Sequence, residues 1–179
     1  MNSVVQAVVS SAVGATAASA GWALALRGDR LVVVGAVGAG ELVGSEAPAD
    51  AGTAGFVVNS GQPMAMAVRG DDTRLGEGVL ARLERRPTSV LSVPCATSDA
   101  VVGVLEMVDK AGAATFSFDD VELATLLAGI AAAAMEAEGA EVTVRSPDEL
   151  GGELRRLAGA DPGAYAQVAS LVEAILARG

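Results

Sequence analysis

A chain of 179 residues with net charge −10, no histidine and one cysteine excludes several classes of chemistry at the outset. Without His there is no His-based triad, His metal ligand, axial haem His or phosphoacceptor imidazole, and a lone thiol, Cys95, permits neither an internal disulfide nor a CxxC pair. The acidic balance argues against nucleic acid and against anionic membrane surfaces, both of which demand Lys and Arg.

Hydrophobic residues make up 51% of the chain and aromatics 3%, so its core is built from Val, Ala and Leu. The length suits one domain with an appendage. Eleven Arg stand against the single Lys110, which reads as the codon bias of a GC-rich bacterial genome. No charged side chain occurs from Asn2 through Leu26. A signal peptide would need a basic segment ahead of its apolar run. Gln6, Ser10, Ser11, Gly14, Thr16 and Ser19 also interrupt any membrane-length stretch, so a cytoplasmic protein beginning with a buried helix is expected.

In chain order, residues 4–17 place Val5, Val9, Ala12, Val13 and Thr16 on one helical stripe, opposite the small uncharged Ala7, Ser11 and Gly14. Gly21–Leu26 and Leu31–Val37 read as strands of a hairpin, joined by Arg27-Gly28-Asp29-Arg30. Within Leu31–Gly40 the glycines are spaced GxxGxG, which is not the dinucleotide fingerprint, and the preceding hairpin conflicts with a first parallel strand. Residues 38–55 read as a loop, with a short helix near Thr53–Asn59. Ser60-Gly61-Gln62-Pro63 is a turn before a strand at Met64–Val68, and a helical run is expected at Leu75–Arg85, ended by Pro87. Ser89–Ala96 and Ala100–Val108 form a second hairpin pair. Ser117 and Asp120 make a capping box, with Phe116 and Val121 as its hydrophobic staple. Leu123, Leu127, Ile130 and Ala134 then mark the stripe of a helix running to about Glu138. Ser146-Pro147-Asp148-Glu149 and Asp161-Pro162 start two tail helices, the last with a stripe of Tyr165, Val168, Val172 and Ile175.

Residues 4–136 resemble a GAF domain. Trp22–Val37 is similar to that family's first hairpin, and Ser60-Gly61-Gln62-Pro63 to its Ser/Thr-Gly-x-Pro turn. Asp71-Asp72-Thr73-Arg74 falls where members carry Asp-x-Arg, and Ser89–Pro94 resembles the Ser-x-Leu-x-Val-Pro strand. Val102–Glu106 resembles the Gly-Val-Leu strand, and Phe116–Asp120 the Phe-x-x-x-Asp helix start. The resemblance implies an α/β (α+β) fold: a central antiparallel sheet, the long N- and C-terminal helices on one face, and loops with short helices over a small-molecule pocket on the other. The expected organisation is a GAF-like domain at 1–140 and a helical tail at 141–179.

The resemblance also directs attention to particular residues. Asp109-Lys110, Phe116 and Asp120 partly match the Asn-Lys, Phe and Asp-Glu signature of cyclic-nucleotide GAF domains, with Asp109 in place of Asn and Val121 in place of Glu. A Lys110–Asp120 ion pair would then be structural scaffolding. The GAF methionine-sulfoxide reductases use several cysteines, which this chain lacks, and Cys95 reads as a core residue. Strand parity sends Leu91, Val93, Cys95, Gly103, Leu105 and Met107 beneath the long helices, and Ser92 and Glu106 the opposite way. The family's pocket is bordered by segments holding Trp22, Phe56, Met64, Met66, Asp72 and Arg74. Glu106 is costly in an apolar strand unless paired or on a solvent-facing edge, and Arg74 is its natural partner.

The expected function is a non-catalytic regulatory module for a small metabolite or a protein partner. The alternative is a ligand-free scaffold for dimerisation or docking. A homodimer is expected through the first and last long helices, using Ala7, Ser11, Gly14, Ala124, Ala128, Ala131 and Ala132. The apolar stripe of the last helix calls for cover by the domain, a second copy or a partner. The residue inventory predicts no metal and no covalent cofactor, so elemental analysis of the purified protein should find no stoichiometric transition metal.

Overall fold

The computed structural model describes residues 2–70, 73–75, 77–141 and 147–176. The chain divides into two compact units, Met1–Gly139 and Ala140–Gly179.

In the first unit, α1 (Ser3–Ala15) is followed by the antiparallel strands β1 (Ala18–Arg27) and β2 (Arg30–Val37). A three-residue 3-10 turn at Gly40–Leu42 leads into the short strand β3 (Glu46–Pro48) and helix α2 (Gly52–Ser60). Next come β4 (Met64–Ala67), 3-10 turns at Thr73–Leu75 and Leu80–Arg82, the hairpin β5 (Ser89–Ala96) and β6 (Val101–Lys110), and the long α3 (Phe118–Glu141). All pairings are antiparallel and the strand order is β3-β2-β1-β6-β5-β4, which makes β6 an interior strand. The predicted α+β architecture is therefore the observed one. The antiparallel β1–β2 pair rules out a βαβ dinucleotide unit at Gly35–Gly40.

Each face of the sheet carries its own apolar layer. On one side α1 and α3 pack Val5, Val9, Ala12, Ala124, Ala128 and Met135 over Leu91, Val93, Cys95, Leu105 and Met107, as strand parity predicts. On the other, Ala54 and Val57 of α2 and the turn residues Leu75, Val79 and Leu80 cover Trp22, Leu24, Val90 and Val104.

The two long helices run antiparallel across their face, and side chains fix their ends. Asn2 Oδ1 caps α1 by accepting from Val4 N (2.9 Å), while its amide donates to the carbonyl oxygen of Ala134 on α3 (3.3 Å). At the other end Lys110 Nζ donates to Thr16 O (2.8 Å) and pairs with Asp120 Oδ1 (2.9 Å), placing a cation at the C-terminus of α1 and an anion at the N-terminus of α3. The capping box closes as predicted: Asp120 N donates to Ser117 Oγ (3.2 Å) and Ser117 N to Asp120 Oδ2 (2.7 Å). Lys110–Asp120 is thus scaffolding.

Three expectations are corrected. No helix spans Leu75–Arg85; two 3-10 turns stand there, because Gly78 sits at φ +74°, a left-handed conformation that ends a helix. β3 was not foreseen, being a three-residue edge strand paired to β2. The third concerns α3. Of the expected stripe, Leu127 and Ala134 are partly buried against the core but Leu123 and Ile130 face outward, and Ala124, Ala128, Ala131 and Ala132 are not the helix's outer face. The alanines are buried on the sheet, whereas Leu126 is 71% and Ile130 52% exposed. Small side chains let the helix lie close to the strands, and that leaves the large ones outside.

In the second unit, α4 (Pro147–Ala160) and α5 (Pro162–Leu176) are joined at Asp161, whose Oδ1 caps α5 by accepting from Ala164 N (2.9 Å). None of its described residues is buried, and Leu150, Tyr165, Val168 and Val172 are exposed. Among the described residues no helix is long and apolar enough to cross a membrane.

Close packing at Gly103 generates a test. A Cβ there would collide with the Leu24 carbonyl oxygen and stand 2.8 Å from the Met135 sulfur beneath α3. Gly103→Ala should lower stability by about 1–3 kcal/mol, read as a reduced urea midpoint.

Candidate functional site

Beneath α2, a row of residues crosses the sheet on the face away from the long helices. Trp22 on β1 lies opposite Glu106 on β6, Ser92 on β5 lies opposite Glu106 from the other side, and Met64 on β4 continues the row. Glu106 is 1% exposed. Its Oε1 accepts from Thr53 Oγ1 of α2 (2.5 Å) and from Ser92 Oγ (2.7 Å), and its Oε2 accepts from Trp22 Nε1 (3.0 Å). All three donors are neutral. Burial pushes the Glu106 carboxyl above its ordinary value, and the three hydrogen bonds offset only part of that rise.

The structure therefore brings together Trp22, Ser92 and Glu106 of the residues singled out in the sequence. Met64 and Met66 are half-buried and pack against the same apolar layer. Phe56 is 51% exposed on the outer side of α2 and lies outside that layer. Asp72 lies outside the described residues, as does the side chain of Arg74, whose backbone belongs to the 3-10 turn Thr73–Leu75. The described partners of Glu106 are Thr53, Ser92 and Trp22, the expected Arg74 partnership lies outside the described residues, and the edge-strand alternative fails because β6 is interior. Thr53 was missed. A hydroxyl in the first turn of a short helix is common, and only the three-dimensional seat of α2 makes this one a carboxylate ligand.

Elsewhere, Asp109 adopts φ +59°, a left-handed conformation that Asn and Asp tolerate best. That accounts for an Asp where the cyclic-nucleotide signature carries Asn. Its carboxylate is held by Thr88 N (2.7 Å), Thr88 Oγ1 (2.9 Å) and Arg85 (2.8 Å), an arrangement that shapes the end of β6. Cys95 is buried and its thiol is pushed up to about 12 by burial, so it is a core residue with little thiolate character. Among the described residues no cluster of three Cys, Asp or Glu could hold a metal ion.

The model of the GAF domain family matches residues 1–136. Among solved structures, the GAF-B domain of DevS from Mycobacterium smegmatis is similar at 25% identity and TM-score 0.59, covering 77% of this chain and 94% of that one. The GAF domain of an Acinetobacter phosphoenolpyruvate-protein phosphotransferase superposes with TM-score 0.69 at 17% identity, covering 79% and 85%. A type II free methionine-R-sulfoxide reductase from Thermoplasma acidophilum shares the fold at 16% identity and TM-score 0.63, covering 76% and 92%. Comparison with curated proteins finds none that matches.

Two carboxyls of this unit should respond to pH in opposite directions. Because the folded chain holds the Glu106 proton more tightly, stability should fall as pH rises from the ordinary value of 4.5 through the raised one. Asp120 is raised by burial, but hydrogen bonds from Lys110 and Ser117 outweigh that and hold it below its ordinary 3.8. Its contribution is present above that value and is lost as pH falls through the depressed one. Urea midpoints from about pH 3 to 8 check both signs. Wild type should lose ground to Glu106→Gln on the rising arm, and its advantage over Asp120→Asn should shrink below 3.8.

Proposed function

The chain belongs to the GAF domain family, a regulatory and sensory fold, and from that premise we propose that it is a non-catalytic regulatory module. It senses on the α2 face of the sheet and relays through the α1/α3 face, working as a homodimer. The observation that carries this reading is the outer surface of α3. Leu123, Leu126, Ile130, Ala133 and Ala137 follow one another at spacings of three and four residues and all point away from the sheet, with Phe118 75% exposed at the helix start. Such a heptad seam is the pattern by which helices interdigitate. The neighbouring α1 exposes the small Ala7, Ser11 and Gly14, a groove into which the large side chains of a second copy's α3 would fit. Two antiparallel helices from each copy then make a four-helix bundle.

Support for the non-catalytic part comes from the inventory. The fold is shared with a methionine-sulfoxide reductase, yet here the one thiol is buried and its pKa is raised. No His exists to act as a base. The tight packing beneath α2 favours a second reading, a ligand-free scaffold, since among the described residues no buried side-chain polar atom lacks a partner. A response of the sole tryptophan, Trp22, to small molecules separates the sensor from the scaffold.

Light scattering after size exclusion tests the dimer. Wild type should elute at twice the monomer mass. Leu126→Arg should raise the dimer dissociation constant by about a hundredfold, equivalent to about 3 kcal/mol, without altering the circular dichroism of the fold. A monomeric wild type, or a dimer indifferent to both Leu126→Arg and Ser11→Arg, would exclude this interface.

A further inference from the structure

The three donors to Glu106 are not equivalent. Trp22 and Ser92 sit directly across from it on β1 and β5, so the ladders of an interior strand hold them in place. Thr53 is the one donor outside the sheet. It belongs to a nine-residue helix whose N-cap, Ala51, offers no side-chain cap, and its 2.5 Å bond to Oε1 is the polar anchor of that helix's first turn. The network can therefore open without disturbing the sheet by losing Thr53.

Shallow depressions flank α2. One, of about 400 Å³, lies at its N-terminal end and is lined by Pro48, Asp50, Ala51, Glu77 and Gly78. Another, of about 540 Å³, lies along its side and is lined by Asp29, Arg30, Asp50 and Asn59 among others. The N-terminal end of α2 thus carries two carboxylates, Asp50 and Glu77, and no base among the described residues lining that depression, in a chain of net charge −10.

We infer that Glu106 is the recognition group of a gated site for a small molecule bearing a protonated amine, with α2 as the gate and the Thr53–Glu106 bond as its latch. This rests on the sensory reading above and names its ligand class. Among the described residues this buried carboxylate is held by neutral donors alone, and an ammonium group that takes the place of the Thr53 hydroxyl supplies a counter-charge. The hydroxyl of Ser92 can rotate to accept from an incoming N–H group, and the Trp22 indole stands beside the same oxygen pair. Anions are repelled by both Glu106 and the carboxylates at the N-terminal end of α2, and a neutral alcohol replaces one neutral donor by another without gain.

Trp22 is the chain's one tryptophan and is bonded to Glu106, so its fluorescence reports this site. The full chain is titrated with propylammonium chloride, 1-propanol and sodium propionate at matched ionic strength. The expected result is a saturable shift of Trp22 emission and a raised Tm with propylammonium alone. Glu106→Gln should weaken that response at least tenfold. Thr53→Val, which removes the latch and keeps the carboxylate, should tighten it about tenfold, and it remains informative if Glu106→Gln fails to fold. A saturable response to 1-propanol or propionate in place of the amine would overturn the ligand class and leave the sensory reading standing. No response to any probe, in wild type and in Thr53→Val alike, would overturn both.

Discussion

Glu106 puts a carboxyl group in the middle of an apolar sheet face from which water is excluded. Such a group is tolerated only if its oxygens are satisfied on the spot, and the way this is done organises that side of the molecule. Two donors come from the strands on either side of β6, which ties the polar row to the sheet register: a one-residue slip of β1 or β5 would turn Trp22 or Ser92 to the opposite face. The third comes from α2, so the helix cannot shift over the sheet without exposing a buried acid. Replacing the whole network by hydrocarbon would remove that constraint along with its desolvation cost. What the polar version adds is a defined seat for α2 and a reason for that seat to be lost when the carboxyl finds a better partner.

The opposite face is governed by distance instead of charge. Gly103 beneath Met135 and the buried alanines of α3 set how closely that helix lies on the strands. Close approach leaves no room for Leu126 or Ile130 on the inner side, so they face outward. A helix that is apolar on both sides is not a surface helix in the ordinary sense. Its outer side is the face that the proposed dimer would cover, and the charge-free α1 beside it has the same character.

That helix also marks where sequence reasoning stopped. The hairpins, the capping box at Ser117 and the alternation along β5 and β6 could be read directly, because each has a local signal: a turn residue, a cap spacing, a period of two. The inner side of α3 could not, since periodicity assigns the larger residues to the core and here both stripes are apolar. Val79 and Leu80 looked helical by composition, and the left-handed Gly78 decided otherwise. At the candidate site, Ser92 and Glu106 followed from parity. Thr53 did not, because its role depends on α2 crossing over β5 and β6, a contact distant in sequence.

The two faces meet in a single strand. Along β6, Glu106 points beneath α2, while its neighbours Leu105 and Met107 point beneath α1 and α3. The strand then ends in Asp109, held in a left-handed turn by Thr88 and Arg85, and in Lys110, whose ammonium joins the C-terminus of α1 to the N-terminus of α3. Interiors packed to crystal density do not deform smoothly, so a change of seat at Glu106 has few ways to be absorbed within β6 itself. Leu105 and Met107 sit against the helices with no exposed surface, and the strand end is fastened to both helix termini. A regulatory module needs a physical link between where it senses and where it reports. On the function proposed for this chain β6 is the element on which both would depend, and the antiparallel pair α1 and α3 is what its movement would reorient.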